Sequence, residues 1–146
     1  MSSYKPPMWP VSVKAVVLDD RSRVLLLRNE RDEWELPGGR LEIVDQENGE
    51  AADSTPQDAV AREVWEETGW QVKVGPLIDD GVWIYEPIPG RRVLIVTYGA
   101  VALDPRVEPV ASHEHKHVGL FTKDEVAGLH MPSGYKASIR AWYDRV

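Results

Sequence analysis

The sequence predicts an α/β fold of the mixed (α+β) kind, and three observations carry that expectation. Aliphatic and β-branched runs recur between turn-forming residues, the pattern of several strands of a sheet. One segment, residues 56–68, has a full set of helix start and stop signals. A second segment, near 133–144, is also helical in character. No repeat, low-complexity tract or linker interrupts this order. With 146 residues and 42% apolar content, the chain is expected to form one domain, residues 1–146, with a core of its own.

The elements follow in order. VSVKAVVLDDRSRVLLLRN reads as two strands, Val11–Leu18 and residues 23–28, joined by the turn-forming Asp19-Asp20-Arg21-Ser22. ELPGGRLE is a strand end broken at Pro37-Gly38-Gly39, and residues 43–53 are polar with little periodicity. In STPQDAVAREVWEETG, Thr55 is placed as N-cap, Pro56 at the first helical position and Asp58 for a capping box, with Gly69 just past the end. WQVKVG, GVWIYEP, RRVLIVTYGAVAL and HVGLF read as further strands.

Charge is unevenly distributed. The net charge is −7, yet residues 41–67 alone hold nine acids against one base, Arg62. A dense acidic patch repels a polyanion, which counts against nucleic-acid polymers as partners and favours a hard cation. There is no cysteine, so disulfides and thiolate metal sites are excluded. No apolar run approaches membrane-spanning length, and MSSYKPPMWP lacks the apolar core of a secretory signal. A cytoplasmic location without membrane contact is therefore expected.

On the expected helix, Glu63, Glu66 and Glu67 fall within an arc of about 100°, because positions i, i+3 and i+4 are neighbours. Val60, Ala61, Val64 and Trp65 occupy the other side, available to bury against a sheet. Arg62 borders the acids and is spaced to pair with Glu66. Crowded carboxylates raise one another's pKa unless a cation sits between them. Magnesium or manganese, which take oxygen ligands, resolve that conflict. Taken alone, such a triplet is more often a solvated helix face. The glycine turn just ahead of it shifts the balance, because Gly38 and Gly39 allow close approach and a carbonyl there can join the ligands.

RExxEExG at Arg62–Trp70, following WELPGGRLE at residues 34–42, resembles the signature of the Nudix hydrolases, G-x5-E-x7-R-E-U-x-E-E-x-G-U with U bulky and apolar. Arg62, Glu63, Val64, Glu66, Glu67, Gly69 and Trp70 match without a gap. The resemblance implies an α/β/α sandwich with a mixed sheet and a catalytic helix near 56–68. One departure stands out. Twenty-two residues separate Gly39 from Arg62 where the family has 13. Counting back from Arg62 puts Ser54 at the first motif glutamate, counting forward from Gly39 puts Asp45 there, and Asn48-Gly49-Glu50 resembles the family's PGE. Glu50 is thus an uncertain motif glutamate in an enlarged loop.

The activity implied is Mg2+- or Mn2+-dependent cleavage of a nucleoside diphosphate linked to another moiety, X, by water attack at phosphorus. Glu63 and Glu67, one turn apart, are the implied metal ligands, with Glu66 completing the cluster and a Gly38 or Gly39 carbonyl assisting. Arg62, Glu63, Glu66 and, from a later loop, Glu114 are the implied catalytic residues. His113, His115 and His117 alternate around Glu114, which suggests an extended segment with all three on one side. They read as a polar loop near the substrate rather than zinc ligands, since no other histidine or cysteine cluster supports a zinc site.

Substrate contacts are less marked. Arg28 and Arg40 flank the entry to the motif and are better placed for phosphate than Arg91, Arg92 or Lys136, while Trp34, Trp83 and Tyr85 are available for stacking, though each is a natural core residue. Tyr85 and Pro87 lie 15 and 17 residues after Trp70, where family members specific for ADP-ribose or dinucleoside polyphosphates carry a tyrosine or a proline. Neither decides X. The partner is a small nucleotide or nucleotide-diphosphate; a homodimer is compatible with the resemblance, although the chain displays no decisive interface. The competing expectation is a non-catalytic Nudix-fold module that binds or senses nucleotides, and the weakest is a plain acidic scaffold without a divalent-ion effect.

Overall fold

The computed structural model describes residues 3–41, 53–113, 115 and 117–146. Its sheet is built from β1 (Val11–Leu18), β2 (Val24–Arg28), β3 (Trp34–Glu35), β4 (Gly38–Arg40), β5 (Val72–Ile88), β6 (Arg91–Ala102) and β7 (His117–Phe121). The helices are α1 (Pro56–Thr68), α2 (Lys123–Val126) and α3 (Ser133–Arg145). The path runs β3-β2-β1-β6-β5, with β4 also on β1 and β7 on β2. β1 and β6 are parallel and the other pairs antiparallel, so the sheet is mixed as expected.

Period-two alternation sends the residues of β1 to two cores. Val13, Ala15 and Val17 pack under α1 with Val60, Val64, Trp70 and Tyr98. Val16 and Leu18 pack under α3 with Leu26, Ile95, Tyr135 and Trp142. The result is an α/β/α sandwich. Within the sheet, β1 and β2 are paired at Leu18↔Val24; towards the other end β1 pairs with β4 and β2 with β3. Leu36 and Pro37 bridge that opening.

α1 has the bounds its capping chemistry dictates. The Thr55 hydroxyl accepts from the Asp58 N–H at 3.0 Å, Pro56 opens the helix, and Gly69 closes it at φ 75 with its N–H on the Trp65 carbonyl. Among the described residues only the Thr55 half of the capping box forms, since aspartate is a methylene shorter than glutamate. Thr55→Ala is expected to cost about 1 kcal/mol, read as a lower urea midpoint at unchanged m-value. In α2 the full box forms between Thr122 and Glu125; no helix was expected there.

Two further expectations need correction. WQVKVG and GVWIYEP are not separate strands but parts of the 17-residue β5. Gly75-Pro76 and Asp80-Gly81 are absorbed as register shifts against β6, with Asp80 at φ 60. β5 tolerates Pro76 because it is the outer strand of the path, where a missing N–H leaves no ladder partner bereft. Trp65 does not share the buried side of α1: it is 55% exposed, and Ala59, Val60, Val64, Glu67 and Thr68 form the buried stripe. Among the described residues, no helix is long and apolar enough to cross a membrane.

Candidate active site

The last two turns of α1 lie beside β4, and the three glutamates occupy three different environments. Glu67 is buried, with 5% of its surface exposed. Its Oε1 accepts the Gly38 N–H at 2.7 Å and its Oε2 lies 3.4 Å from His115 Nε2. Glu63 is half-buried and its carboxylate lies against Gly39, so close that a Cβ there would stand 2.7 Å from Glu63 Cδ. Glu66 faces solvent and pairs with Arg62 Nη1 at 3.2 Å.

Arg62 ties this array to the segment before the helix. Its Nε and Nη2 donate to Asp53 Oδ1 and Oδ2, both at 3.0 Å, and Nη1 lies 3.3 Å from Glu63 Oε1. The planar guanidinium is suited to such a two-bond clamp. The Asp53 side chain is only 3% exposed, so the clamp also satisfies a buried carboxylate.

Gly38 is required by its conformation and by its surroundings. Its φ is 140, and a Cβ would fall 2.0 Å from the Val13 carbonyl oxygen of the adjacent strand. That close approach brings the Gly38 N–H over Glu67.

Burial governs the electrostatics. It pushes Glu67 up to about 7 against the pull of Lys14 and of the Gly38 N–H, and it raises Glu63 despite Arg62. Neighbouring Glu35 is also buried, but Lys14, His115 and Asn29 outweigh that and hold it at about 2. His115 Nε2 meets Glu35 Oε1 at 3.0 Å, and that bond raises the imidazole above its ordinary value. The pocket thus keeps one carboxylate firmly ionised, while at the other two burial outweighs the nearby cations.

The remaining candidates are dispersed. Arg28, at the end of β2, has a buried Nε without a hydrogen-bond partner and lies 3.7 Å from Asp32. Arg40 is exposed at the end of β4 beside Met8, Trp9 and Leu41. Trp34 packs its ring edge-on to Phe121, with centroids 4.8 Å apart. Tyr85 packs on Trp83 and Tyr135, and its hydroxyl meets Glu33 at 3.3 Å. Both aromatics are partly buried against the core under α3. Glu50 and Glu114 lie outside the described residues. The three histidines do not share one environment: His113 and His117 are exposed, whereas His115 turns inward to Glu35 and Glu67. Among the described residues no group of three His, Cys, Asp or Glu side chains is assembled into a ready metal cage.

Sequence reasoning missed Lys14, Glu35 and Asp53. Glu35 adjoins the glycine turn, and Lys14 interrupts an otherwise apolar strand at an inward position. Both signals were readable; Asp53 had none beyond its place in the acidic run.

Comparison with known proteins places this architecture. A model of the NUDIX domain matches residues 8–145. The chain belongs to the Nudix hydrolase family. It is thereby a hydrolase acting on phosphoric anhydride bonds. A MutT-like protein of Streptomyces ambofaciens is 38% identical over 128 residues, covering 84% of this chain and 70% of that one. Among solved structures, the MutT protein from Methanosarcina mazei Go1 is 24% identical, with TM-score 0.72 over 98% of this chain and 97% of the other. A C. elegans Ap4A hydrolase (17% identity, TM-score 0.72, 93% and 96% covered) shares the fold. So does an ADP-ribose pyrophosphatase from Streptococcus suis (20%, 0.66, 94% and 92%). Nudix hydrolases in general use divalent metal ions.

Proposed function

We propose that this Nudix protein is a Mg2+- or Mn2+-dependent pyrophosphohydrolase that cleaves a nucleoside diphosphate linked to another moiety, X. The observation that carries the proposal is the pair of carboxylates on either side of the glycine turn, Glu67 under the Gly38 N–H and Glu63 against Gly39. Burial raises both, outweighing Arg62 and Lys14 at Glu63 and Lys14 and His115 at Glu67, and a hard divalent cation would offset that cost. Magnesium takes one or two carboxylates directly and keeps several waters, so Glu63 and Glu67 can hold it while Glu66 acts through its water shell.

In this reading Glu63 and Glu67 hold the ion, with Glu66 and the carbonyls of Gly38 or Gly39 completing the cluster. Bound there, a divalent ion supplies the charge that a pyrophosphate needs for neutralisation and activates water for attack. The protein's own tasks are positional. The Gly38 N–H fixes the Glu67 carboxylate. Arg62 holds Glu63 and Glu66 at set positions and is itself braced by Asp53. Glu63, Glu66 or Glu114 accepts the proton of the attacking water. Arg28 and Arg40 are the proposed phosphate contacts, and Trp34 and Tyr85 the weaker stacking ones.

The same reading takes a small nucleotide as partner, with no nucleic-acid polymer or membrane, one domain across residues 1–146, and a cytoplasmic location. Phosphate release should be screened over nucleoside triphosphates, ADP-ribose, dinucleoside polyphosphates and nucleotide-sugars, each with Mg2+, Mn2+ and chelator, and with a phosphatase to reveal monophosphate products. Metal-dependent turnover of one class is expected and names X. Silence throughout, with nucleotide binding still detected by thermal shift, would point to a non-catalytic module.

A further inference from the structure

Lys14 is the buried cation of the described structure, 7% exposed in the middle of β1 between residues that are fully buried. A lysine desolvated this far normally sheds its charge or finds strong compensation. Burial works against its charge here, but the carboxylates of Glu35, Glu67 and Glu63 outweigh it, with the Tyr135 phenol adding to the pull only where it is itself ionised, and the lysine is held above its ordinary value.

Its position explains the compensation. Lys14 lies opposite Gly38 in the β1–β4 register, at the opening where β1 and β2 have parted. Its Nζ donates to the Leu36 carbonyl at 3.2 Å and lies 5.8 Å from the centre of the Tyr135 ring. The next carbonyl, Pro37, accepts the Ala15 N–H at 3.1 Å, and the N–H after it, Gly38, donates to Glu67. Three consecutive residues of the turn are thus fixed, the first of them by the lysine.

We propose that Lys14 is a resident cation of the catalytic turn, a positioning residue that holds the Leu36–Gly38 backbone and shares the field of Glu35, Glu63 and Glu67 with the divalent ion. The proposal rests on the metal reading given above. Two consequences have opposite signs. By holding the turn, Lys14 supports the geometry around Glu67. By placing a positive charge among the same carboxylates, it sets the affinity for a divalent ion below what those acids would reach without it. A lysine with a purely structural role predicts the reverse, since loosening the turn would weaken the ion's site.

The test is Mn2+ binding to the full chain, followed by electron paramagnetic resonance and calorimetry with no substrate present. Folding is checked by circular dichroism. Lys14→Met should bind Mn2+ about tenfold more tightly and lose kcat with little change in KM, while Lys14→Arg, which keeps the charge, should stay near the parent affinity. Unchanged or weaker Mn2+ binding by folded Lys14→Met overturns the proposal. If that variant is not recovered folded, Lys14→Gln takes its place: it too removes the charge, and Mn2+ binding should again tighten about tenfold. Unchanged or weaker Mn2+ binding by folded Lys14→Gln is the overturning result. A parent chain that binds no Mn2+ at all removes the metal reading and this proposal with it.

Discussion

Glu67→Gln is expected to lower kcat by about a thousandfold or more while the fold survives. Glutamine has the shape of glutamate, so its amide oxygen can still accept the Gly38 N–H that Glu67 Oε1 accepts at 2.7 Å. What disappears is a negative charge in a position that is 5% exposed. In the absence of metal that charge is a burden, because burial penalises the ionised form and nothing within the described residues fully compensates it. The melting temperature in chelator should therefore stay within a few degrees of the parent or rise. Adding Mg2+ should stabilise the parent and leave the variant unmoved, since binding to the native state alone raises apparent stability. Turnover within tenfold of the parent would remove Glu67 from the metal site. Loss of activity accompanied by a collapse of the melting temperature would instead assign Glu67 a structural role.

The contrast between Glu67 and Trp65 shows how far the sequence could be read. Local chemistry was legible: Thr55, Pro56 and Gly69 mark the ends of α1 because capping depends on residues within one turn. The strand at Val11–Leu18 was equally plain, while its division between two core faces emerges only from the packing. The helical wheel placed the carboxylates together, but it could not say which would be buried. Burial of Glu67 and exposure of Trp65 are set by where β4 passes α1, and that contact joins positions 29 residues apart. Nothing local encodes it. The same limit applies to Arg62, whose i+4 partner Glu66 was visible in the spacing, whereas Asp53, nine residues back, supplies the two 3.0 Å bonds. β5 was misread for the opposite reason: its glycines and Pro76 are real breakers, and only the strand's place at the end of the sheet path makes them tolerable.

Alanine at the two adjacent glycines should separate fold from chemistry. At Gly38 a Cβ would meet the Val13 carbonyl oxygen at 2.0 Å and Lys14 Cα at 2.8 Å, both backbone atoms of the central strand. Neither can swing aside, and the residue sits at φ 140, where an L side chain is strained in any surroundings. Relief requires β4 to move off β1, which also breaks the Gly38–Glu67 bond. Gly38→Ala is therefore expected to lose about 3–5 kcal/mol of stability, measured by urea unfolding in chelator, and to lose activity along with it. At Gly39 the new Cβ would meet the Glu63 carboxylate at 2.7 Å, the far end of a flexible side chain. Glu63 can rotate away, so Gly39→Ala should cost less than about 1.5 kcal/mol, yet displace a proposed ligand and cut kcat by about a hundredfold. A Gly38→Ala protein as stable as the parent would contradict the close approach of β4 to β1. A Gly39→Ala protein with full turnover would show that Glu63 acts from somewhere other than the face of the glycine turn.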